Sequence, residues 1–451
     1  MGKRKYFGTD GVRGEANIEL TPVFAMRLGA ALGHILNQES EEPKVVIAMD
    51  TRISGEMLAA ALASGLSSMG VSVDIIGVLP TPGLAFLTKR LEFNAGIMVS
   101  ASHNPAKDNG IKIFTSDGFK LQDTKELEIE NLIDNIDSVF DYKKGGDRVG
   151  KIKNTQEYKF LYYDFLKSSV HTKFRGKKVI VDEANGAASG LASKVFSDLG
   201  AEVVAINDVP NGTNINLKCG STNIDVLSKV VRDYEADIGF AYDGDADRLI
   251  TVDRNGLVVD GDLVITLMAQ FLKEQGRLSG NKVVGTIMTN MGIEKYLESQ
   301  GIILERTAVG DRYVLEKMIL DDLNLGGEQS GHIIMRDLIN TGDGILSSLQ
   351  LFQFLVTTGK DLSELTSHIQ RYPQQLKNLK VDREKKATWQ KNFKVTSFIE
   401  EQKKALEGKG RVVIRESGTE PLIRIMVEAE SMELVNSTIA TCYAFLDKEL
   451  N

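Results

Sequence analysis

Ser102 and His103 are adjacent in the stretch Val99-Ser100-Ala101-Ser102-His103-Asn104-Pro105, and Lys112 follows the turn Asp108-Asn109-Gly110. A hydroxyl beside an imidazole, with an amine nearby, is equipped to be a nucleophile or a carrier of a phosphoryl group. Further on, Asp243-Gly244-Asp245-Ala246-Asp247-Arg248 alternates carboxylates with other residues. Crowding negative charge in this way is costly unless a cation offsets it, and oxygen donors suit Mg²⁺, Mn²⁺ or Ca²⁺. An EF-hand loop is excluded: its sixth position needs Gly and holds Arg248, and its twelfth needs Glu and holds Arg254. A solvated acidic turn is the plainer alternative. Arg248, a phosphate-compatible cation beside the carboxylates, favours the metal.

Two later loops carry groups for recognition rather than reaction. Gly326-Gly327-Glu328-Gln329-Ser330-Gly331-His332 offers Glu328 and Ser330 to sugar hydroxyls, although a tight strand-to-strand turn also explains it. Arg415-Glu416-Ser417-Gly418-Thr419-Glu420-Pro421, with Arg424 following, sets a cation, two hydroxyls and a glycine where they can cradle a phosphate. The chain has neither a G-x-x-x-x-G-K-[ST] loop nor a G-x-G-x-x-G fingerprint. Phe7–Gly14 is Gly-rich and carries Arg13. Thr307-Ala308-Val309-Gly310-Asp311-Arg312 either meets a ligand or caps a helix. His34, His171 and His368 read as structural or surface residues.

The elements that must position these loops alternate strand and helix. Val45–Met49, a helix from Gly55 and Val71–Ile76 form one block. Lys178–Val181, Glu202–Ile206 and Ile238–Ala241, with helices between them, form a second. Lys282–Thr286, Ile302–Glu305 and Gly331–Met335 form a third. The three blocks read as one supersecondary unit used three times, in α/β layers with parallel or mixed sheets. A smaller α+β unit follows the helix break at Tyr372-Pro373. The 451 residues suit three or four domains, and the net charge of -8 argues against a general nucleic-acid binder. Two cysteines exclude a disulfide framework. With no apolar signal core and no apolar run of bilayer length, a cytoplasmic location is the expectation.

Ser-Ala-Ser-His-Asn-Pro, Asp-Gly-Asp-Ala-Asp-Arg, Gly-Glu-Gln-Ser-Gly-His and Arg-Glu-Ser-Gly-Thr-Glu-Pro occur in this order. The ordered set resembles the α-D-phosphohexomutases, over essentially the whole chain. The opening Tyr6–Gly14, the Gln329 variant of the third loop, Asn214-Ile215-Asn216 and Cys219–Thr222 are most similar to its bacterial glucosamine-phosphate branch. The resemblance implies three related α/β domains and a C-terminal α+β domain around a central cleft. Their boundaries are expected at 1–153, 154–255, 256–371 and 372–451, with a hinge near 371–375.

The activity implied is the interconversion of glucosamine 6-phosphate and glucosamine 1-phosphate through a sugar 1,6-bisphosphate, feeding UDP-N-acetylglucosamine and cell-wall precursors. Ser102 is then the phosphoserine, and Ser102, Asp243, Asp245 and Asp247 hold Mg²⁺. Lys112 and Arg13 are the implied bases, with His103 in support. Arg248, Glu328, Ser330, His332, Thr307 and Gly310 face the substrate, and Arg415, Ser417, Gly418 and Thr419 hold the phosphate that is not reacting. A phosphosugar is the expected partner, with no nucleic acid and no membrane; the oligomeric state, a homodimer included, stays open. Phosphoglucomutase or phosphomannomutase activity, a metal-dependent phosphatase and a non-catalytic sensor are the rivals. Glu416 in the phosphate loop and Ala106 after Pro105 depart from the usual pattern of the family.

Overall fold

The computed structural model describes residues 4–8, 10–416 and 422–451. The chain divides into two compact units, residues 1–288 with 302–366, and residues 289–301 with 367–451.

The first unit contains three sheets built to one plan. The first has six strands: β1 (Val12–Glu15), β2 (Lys44–Met49), β3 (Ser72–Val78), β4 (Ala95–Val99), β5 (Asp108–Thr115) and β6 (Ile152–Asn154), in the order β1-β5-β4-β2-β3-β6. The second holds β7 (Lys178–Asp182), β8 (Glu202–Ile206), β9 (Ile238–Tyr242), β10 (Leu249–Asp253) and β11 (Val258–Val259), ordered β11-β10-β9-β7-β8. The third holds β12 (Lys282–Thr286), β13 (Ile303–Thr307), β14 (Leu325–Gly327) and β15 (Ile333–Met335), ordered β13-β12-β14-β15.

In each sheet a central strand (β2, β7, β12) has parallel neighbours on both sides. The third strand of each set then turns back into an antiparallel partner, β4 into β5, β9 into β10, β14 into β15. The repeated unit read from the sequence is therefore present, with strands the reading did not show, the antiparallel returns β5 and β10 and the short β14. The strand β14 is too short, at three residues, to leave a periodic signature.

Strands covered on both faces read as continuous apolar runs, and β4 and β9 are buried at every residue. Each fully buried Val, Leu or Ile side chain contributes about 1.5–3 kcal/mol, so the strands that present the loops are firmly seated. Against the first sheet lie the helices Pro22–Glu39 and Gly55–Ser68. The former starts on Thr21, whose hydroxyl accepts the Phe24 N–H at 3.2 Å, with Pro22 opening the first turn. The two helices meet backbone to backbone. A Cβ on Gly29 would lie 2.4 Å from the Leu62 carbonyl oxygen, and one on Gly65 2.1 Å from that of Met26.

The second unit is an antiparallel sheet, β16 (Gln374–Lys380), β17 (Gly410–Glu416) and β18 (Leu422–Ala429) in the order β16-β18-β17. Its apolar face packs Ile423, Ile425 and Val427 against Val395, Val435 and Cys442 of its helices. The helix Met291–Ser299 also belongs to this unit, although its sequence position falls inside the expected third domain. Buried Glu428 on β18 accepts the Met291 N–H and the Arg411 guanidinium, the latter at 2.8 Å. Asn290 and Tyr372 exchange two hydrogen bonds, both at 2.9 Å. Among the described residues no helix is long and apolar enough to cross a membrane.

Candidate active site

The repeated topology fixes where the candidate residues sit. Three of the four loops singled out in the sequence are the connections β4–β5, β9–β10 and β14–β15, each leaving the carboxyl end of the last parallel strand. In open α/β sheets that end is where ligands are met. The first two come into direct contact. Ser102 is buried, and its Oγ donates to Asp243 Oδ2 at 2.5 Å. Its backbone lies in the left-handed region at φ 53°, as does that of Ala246 at φ 56°. Non-glycine residues hold such a conformation only where their surroundings over-determine it. His103 Nδ1 lies 3.2 Å from Ser102 Oγ. Burial, with Arg248 and Arg13 adding to it, holds this imidazole down at about 4, so it is neutral at neutral pH.

Asp243, Asp245 and Asp247 are buried, and each presents an oxygen within 4.8 Å of the other two. Burial first, then Asp247 and Asp245, push the Asp243 carboxyl well above the usual carboxylate range. Asp245 accepts the Thr81 hydroxyl at 2.5 Å and Lys112 Nζ at 2.8 Å. Thr81 opens the helix Thr81–Arg90, whose N-terminal dipole favours a negative group there. Asp245 Oδ1 and Asp247 Oδ1 are buried without a hydrogen-bond partner among the described residues. Buried carboxylate oxygens that accept no hydrogen bond, gathered as hard ligands, fit a divalent cation such as Mg²⁺.

Lys112 projects from β5 into a run of alternating charges. Its Nζ lies 3.0 Å from Asp10 Oδ2, 2.8 Å from Asp245 Oδ2 and 3.7 Å from Asp247 Oδ2. Burial works against the ammonium, yet Asp10, Asp245 and Asp247 outweigh it and hold Lys112 charged. Asp10 also pairs with Arg13 and with Lys120, and Lys120 reaches Asp311 at 2.6 Å. Burial raises the Asp10 carboxyl, but Lys112, Lys120 and Arg13 together carry it well below its ordinary value. His332 closes the run, with Nε2 at 3.5 Å from Asp311 and Nδ1 at 3.7 Å from Asp247. The Gly342 N–H lies 3.1 Å from Nε2, and although burial works against the imidazolium, Asp247 and then Asp311 raise the His332 pKa above its ordinary value.

The remaining expected residues are placed less closely. Arg13 Nη1 lies at 3.5 Å from Asn104 Oδ1, beside the Ser102 loop. The Arg248 N–H donates to Asp243 Oδ1 at 3.2 Å, and its Nε stands 3.9 Å from Asp247. Glu328 Oε1 accepts the Gly310 N–H at 3.0 Å, so the third loop and the 307–312 segment do meet. The Thr307 hydroxyl faces backbone oxygens of Gly285 and Ala308, while Ser330 is exposed. A pocket of about 450 Å³ beside Lys120, Asp311 and His332 is walled otherwise by groups such as Phe114, Leu121 and Ile319; Ser102, Asp243, Asp245 and Asp247 do not line it. In the second unit, Arg415 faces Arg424 across the β17–β18 pair, and burial together with Arg424 lowers its pKa. Ser417, Gly418 and Thr419 lie outside the described residues.

Several contributors escaped the sequence reading. Asp10 and Asp311 sit inside two segments flagged there for other residues, Arg13 and Gly310, and Lys120 lies beyond the hairpin that follows Lys112. Behind the Ser102 loop stands Arg52, paired with Asp50 at 2.8 Å, both side chains fully buried. The only local signal for this pair is a polar Asp-Thr-Arg run at the end of β2.

Models of the phosphoglucomutase/phosphomannomutase family match in four parts. Alpha/beta/alpha domains I, II and III match residues 4–140, 161–256 and 260–372, and the C-terminal domain matches residues 376–442. A phosphoglucosamine mutase of Fusobacterium nucleatum is 54% identical over 450 residues, 99% of this chain and 100% of that protein. One from Shouchella clausii is 53% identical over 430 residues, 95% of this chain and 96% of that protein. A phosphoglucomutase/phosphomannomutase family protein from Burkholderia thailandensis has a crystal structure that superimposes with a TM-score of 0.83, at 22% identity over 99% of this chain and 98% of that one.

Proposed function

Because the chain belongs to the phosphoglucomutase/phosphomannomutase family and is an isomerase of the mutase kind, we propose that it interconverts glucosamine 6-phosphate and glucosamine 1-phosphate through a phosphoryl group carried on Ser102. The observation that carries this reading is the contact of the buried Ser102 hydroxyl with Asp243 inside the three-aspartate cluster. Phosphoserine brings about -1.5 to -2 charges at neutral pH, which a metal-free triad of carboxylates would repel. Asp243, Asp245 and Asp247, with the phosphoryl oxygens on Ser102, are the groups that would hold Mg²⁺. When bound, the ion offsets charge on phosphoryl oxygens.

The rest falls to the chain's own residues. In the first transfer the bond between Ser102 Oγ and phosphorus breaks, and one forms from phosphorus to the C1 hydroxyl oxygen of glucosamine 6-phosphate. Net, one proton leaves that hydroxyl and one arrives at Ser102 Oγ. Lys112, held as an ammonium by Asp10 and Asp245, is the proton donor at Oγ and is recharged by the hydroxyl's proton, with Arg13 beside it. The resulting 1,6-bisphosphate turns about and returns its 6-phosphoryl group to Ser102 with the proton moving the other way. Glu328 and Ser330 are assigned to the sugar hydroxyls, with Arg248, His332, Thr307 and Gly310 around them. Arg415, Ser417, Gly418 and Thr419 are assigned to the phosphate at rest, and the facing Arg415–Arg424 pair supports an anion there.

The test is to load the protein with Mg²⁺ and sugar 1,6-bisphosphate and to compare kcat/KM for glucosamine 6-phosphate, glucose 6-phosphate and mannose 6-phosphate. Glucosamine 6-phosphate is expected to lead, and Ser102→Ala to abolish turnover while keeping its far-UV spectrum. Preference for another sugar would overturn the substrate, and full activity in Ser102→Ala would overturn the carrier. Free phosphate as the main product would mark a phosphatase.

A further inference from the structure

The loop that bears Ser102 is tied from behind by a single guanidinium. All five N–H donors of Arg52 are used. Nε donates to Asp50 Oδ2 at 2.8 Å. One terminal nitrogen takes the carbonyls of Ser102 and Asn104 at 2.9 and 2.8 Å, and the other takes those of Pro105 and Asp108, the latter at 2.9 Å. Asn216, from the second sheet's side of the unit, donates its amide to two of the same oxygens, Ser102 at 2.8 Å and Asn104 at 3.1 Å. Asp50 completes the arrangement: it accepts the Ser100 hydroxyl at 2.6 Å, and that hydroxyl in turn accepts the Ser102 N–H at 2.9 Å. Both peptide groups of Ser102 are thus fixed, one through Ser100 and the other through Arg52 and Asn216. That is what over-determines its left-handed backbone.

We propose that Arg52 and Asn216 are positioning residues of the phosphoryl-transfer step: they lock the Ser102 loop so that the carrier oxygen meets substrate in line in both directions of the reaction. The proposal rests on the reading of Ser102 as the phosphoryl carrier. Transfer requires reacting atoms about 3–3.5 Å apart and aligned, and a misplacement of about 1 Å can cost about a hundredfold. A carrier must also keep its phosphoryl group while no substrate is bound, so the site that activates the phosphorus must not let a water take the in-line position, and a loop that shifts opens that position. Four carbonyl oxygens turned onto the guanidinium spend their negative ends there rather than against the phosphate. Lysine cannot replace this, since its donors radiate from one nitrogen and cannot span four oxygens.

The variants are Arg52→Lys and Asn216→Asp, the latter isosteric, tolerant of the left-handed backbone at φ 58° and without the amide donor. Each is phosphorylated with sugar 1,6-bisphosphate. Then kcat and KM for glucosamine 6-phosphate, loss of the phosphoryl group to water by intact mass, and Tm are measured. In Arg52→Lys, kcat is expected to fall about tenfold or more with KM within about twofold, and the phosphoryl group to be lost several-fold faster. Asn216→Asp changes the same quantities in the same direction and by less. Variants with unchanged kcat and phosphoryl lifetime, and only a lower Tm, would overturn the proposal. If Arg52→Lys does not fold, Asn216→Asp decides alone. Wild-type protein that takes no phosphoryl group at Ser102 overturns the carrier reading and this role with it, whereas normal wild-type loading with indifferent variants overturns this role alone.

Discussion

Two acids of this chain are driven in opposite directions by their surroundings. Asp10, surrounded by Lys112, Lys120 and Arg13, stays ionised far below its ordinary range despite burial. No cation is among the main groups that shift Glu183. Burial raises it to about 7, against the N–H groups of Gly190 and Ser193 that it accepts at 2.6 and 2.8 Å. Its folded state therefore binds more protons than the unfolded chain between about 4.5 and 7. The associated stability is fully present below the unfolded value and is lost as pH rises through the folded one, on the order of 3 kcal/mol in all. Urea denaturation at pH 5 and pH 8 is expected to show this loss in wild type and a flatter response in Glu183→Gln; equal slopes would refute the assignment.

The same scale explains what the sequence made legible. Ser102 and the three aspartates stand out because residue type and close spacing alone imply chemistry. Arg52 and Asn216 do not, because their partners are backbone carbonyls that neighbour them only after folding, with Ser102 fifty positions from Arg52 in one direction and far from Asn216 in the other.

At the scale of the element, the β9–β10 hairpin illustrates how closely two loops are fitted. A Cβ on Gly244 would stand 2.5 Å from the Ser102 carbonyl oxygen and 2.8 Å from Asn216 Nδ2. Gly244→Ala is expected to destabilise the protein by about 1–3 kcal/mol, as overpacking does, and to lower phosphoryl transfer, measured by denaturant midpoint and kcat. Wild-type values for both would show that the loops slide freely. A second joint is Tyr162, on the helix Lys159–Ser168, whose hydroxyl donates at 2.7 Å to Asp343. Asp343 in turn caps the helix Gly344–Thr358 by accepting the Leu346 N–H at 2.9 Å. Tyr162→Phe is expected to cost about 1–3 kcal/mol, because a buried acceptor loses its partner. Strand-helix alternation was readable because short apolar runs such as Val45–Met49 in β2 and Val179–Val181 in β7 are bounded by polar residues. The helix Met291–Ser299 was readable as a helix but not as part of the second unit, since that depends on Glu428, far along the chain.

At the scale of the molecule, two compact units with separate cores predict unfolding in more than one step. Glu428→Gln weakens the buried pairing with Arg411 and the tie to Met291, so calorimetry is expected to show one transition lowered and the other unmoved. A ligand that binds only the folded form stabilises what it binds. Mg²⁺ is therefore expected to raise the transition that Glu428→Gln leaves alone, and Asp245→Asn to remove that response. A single transition shifted by both variants would contradict the division.

The thrice-used strand order has an evolutionary and engineering corollary. Each hairpin loop leaves its own sheet, so on the proposed assignment the donor, charge-holding and recognition tasks fall to three copies of one unit, locked to one another through Asn216 and Ser102 and through Leu249 and Gly331. On the proposed assignment of Glu328 and Ser330 to the sugar, exchanging the short connection between β14 and β15 is expected to change which hexose is accepted while the serine and the aspartates keep the reaction.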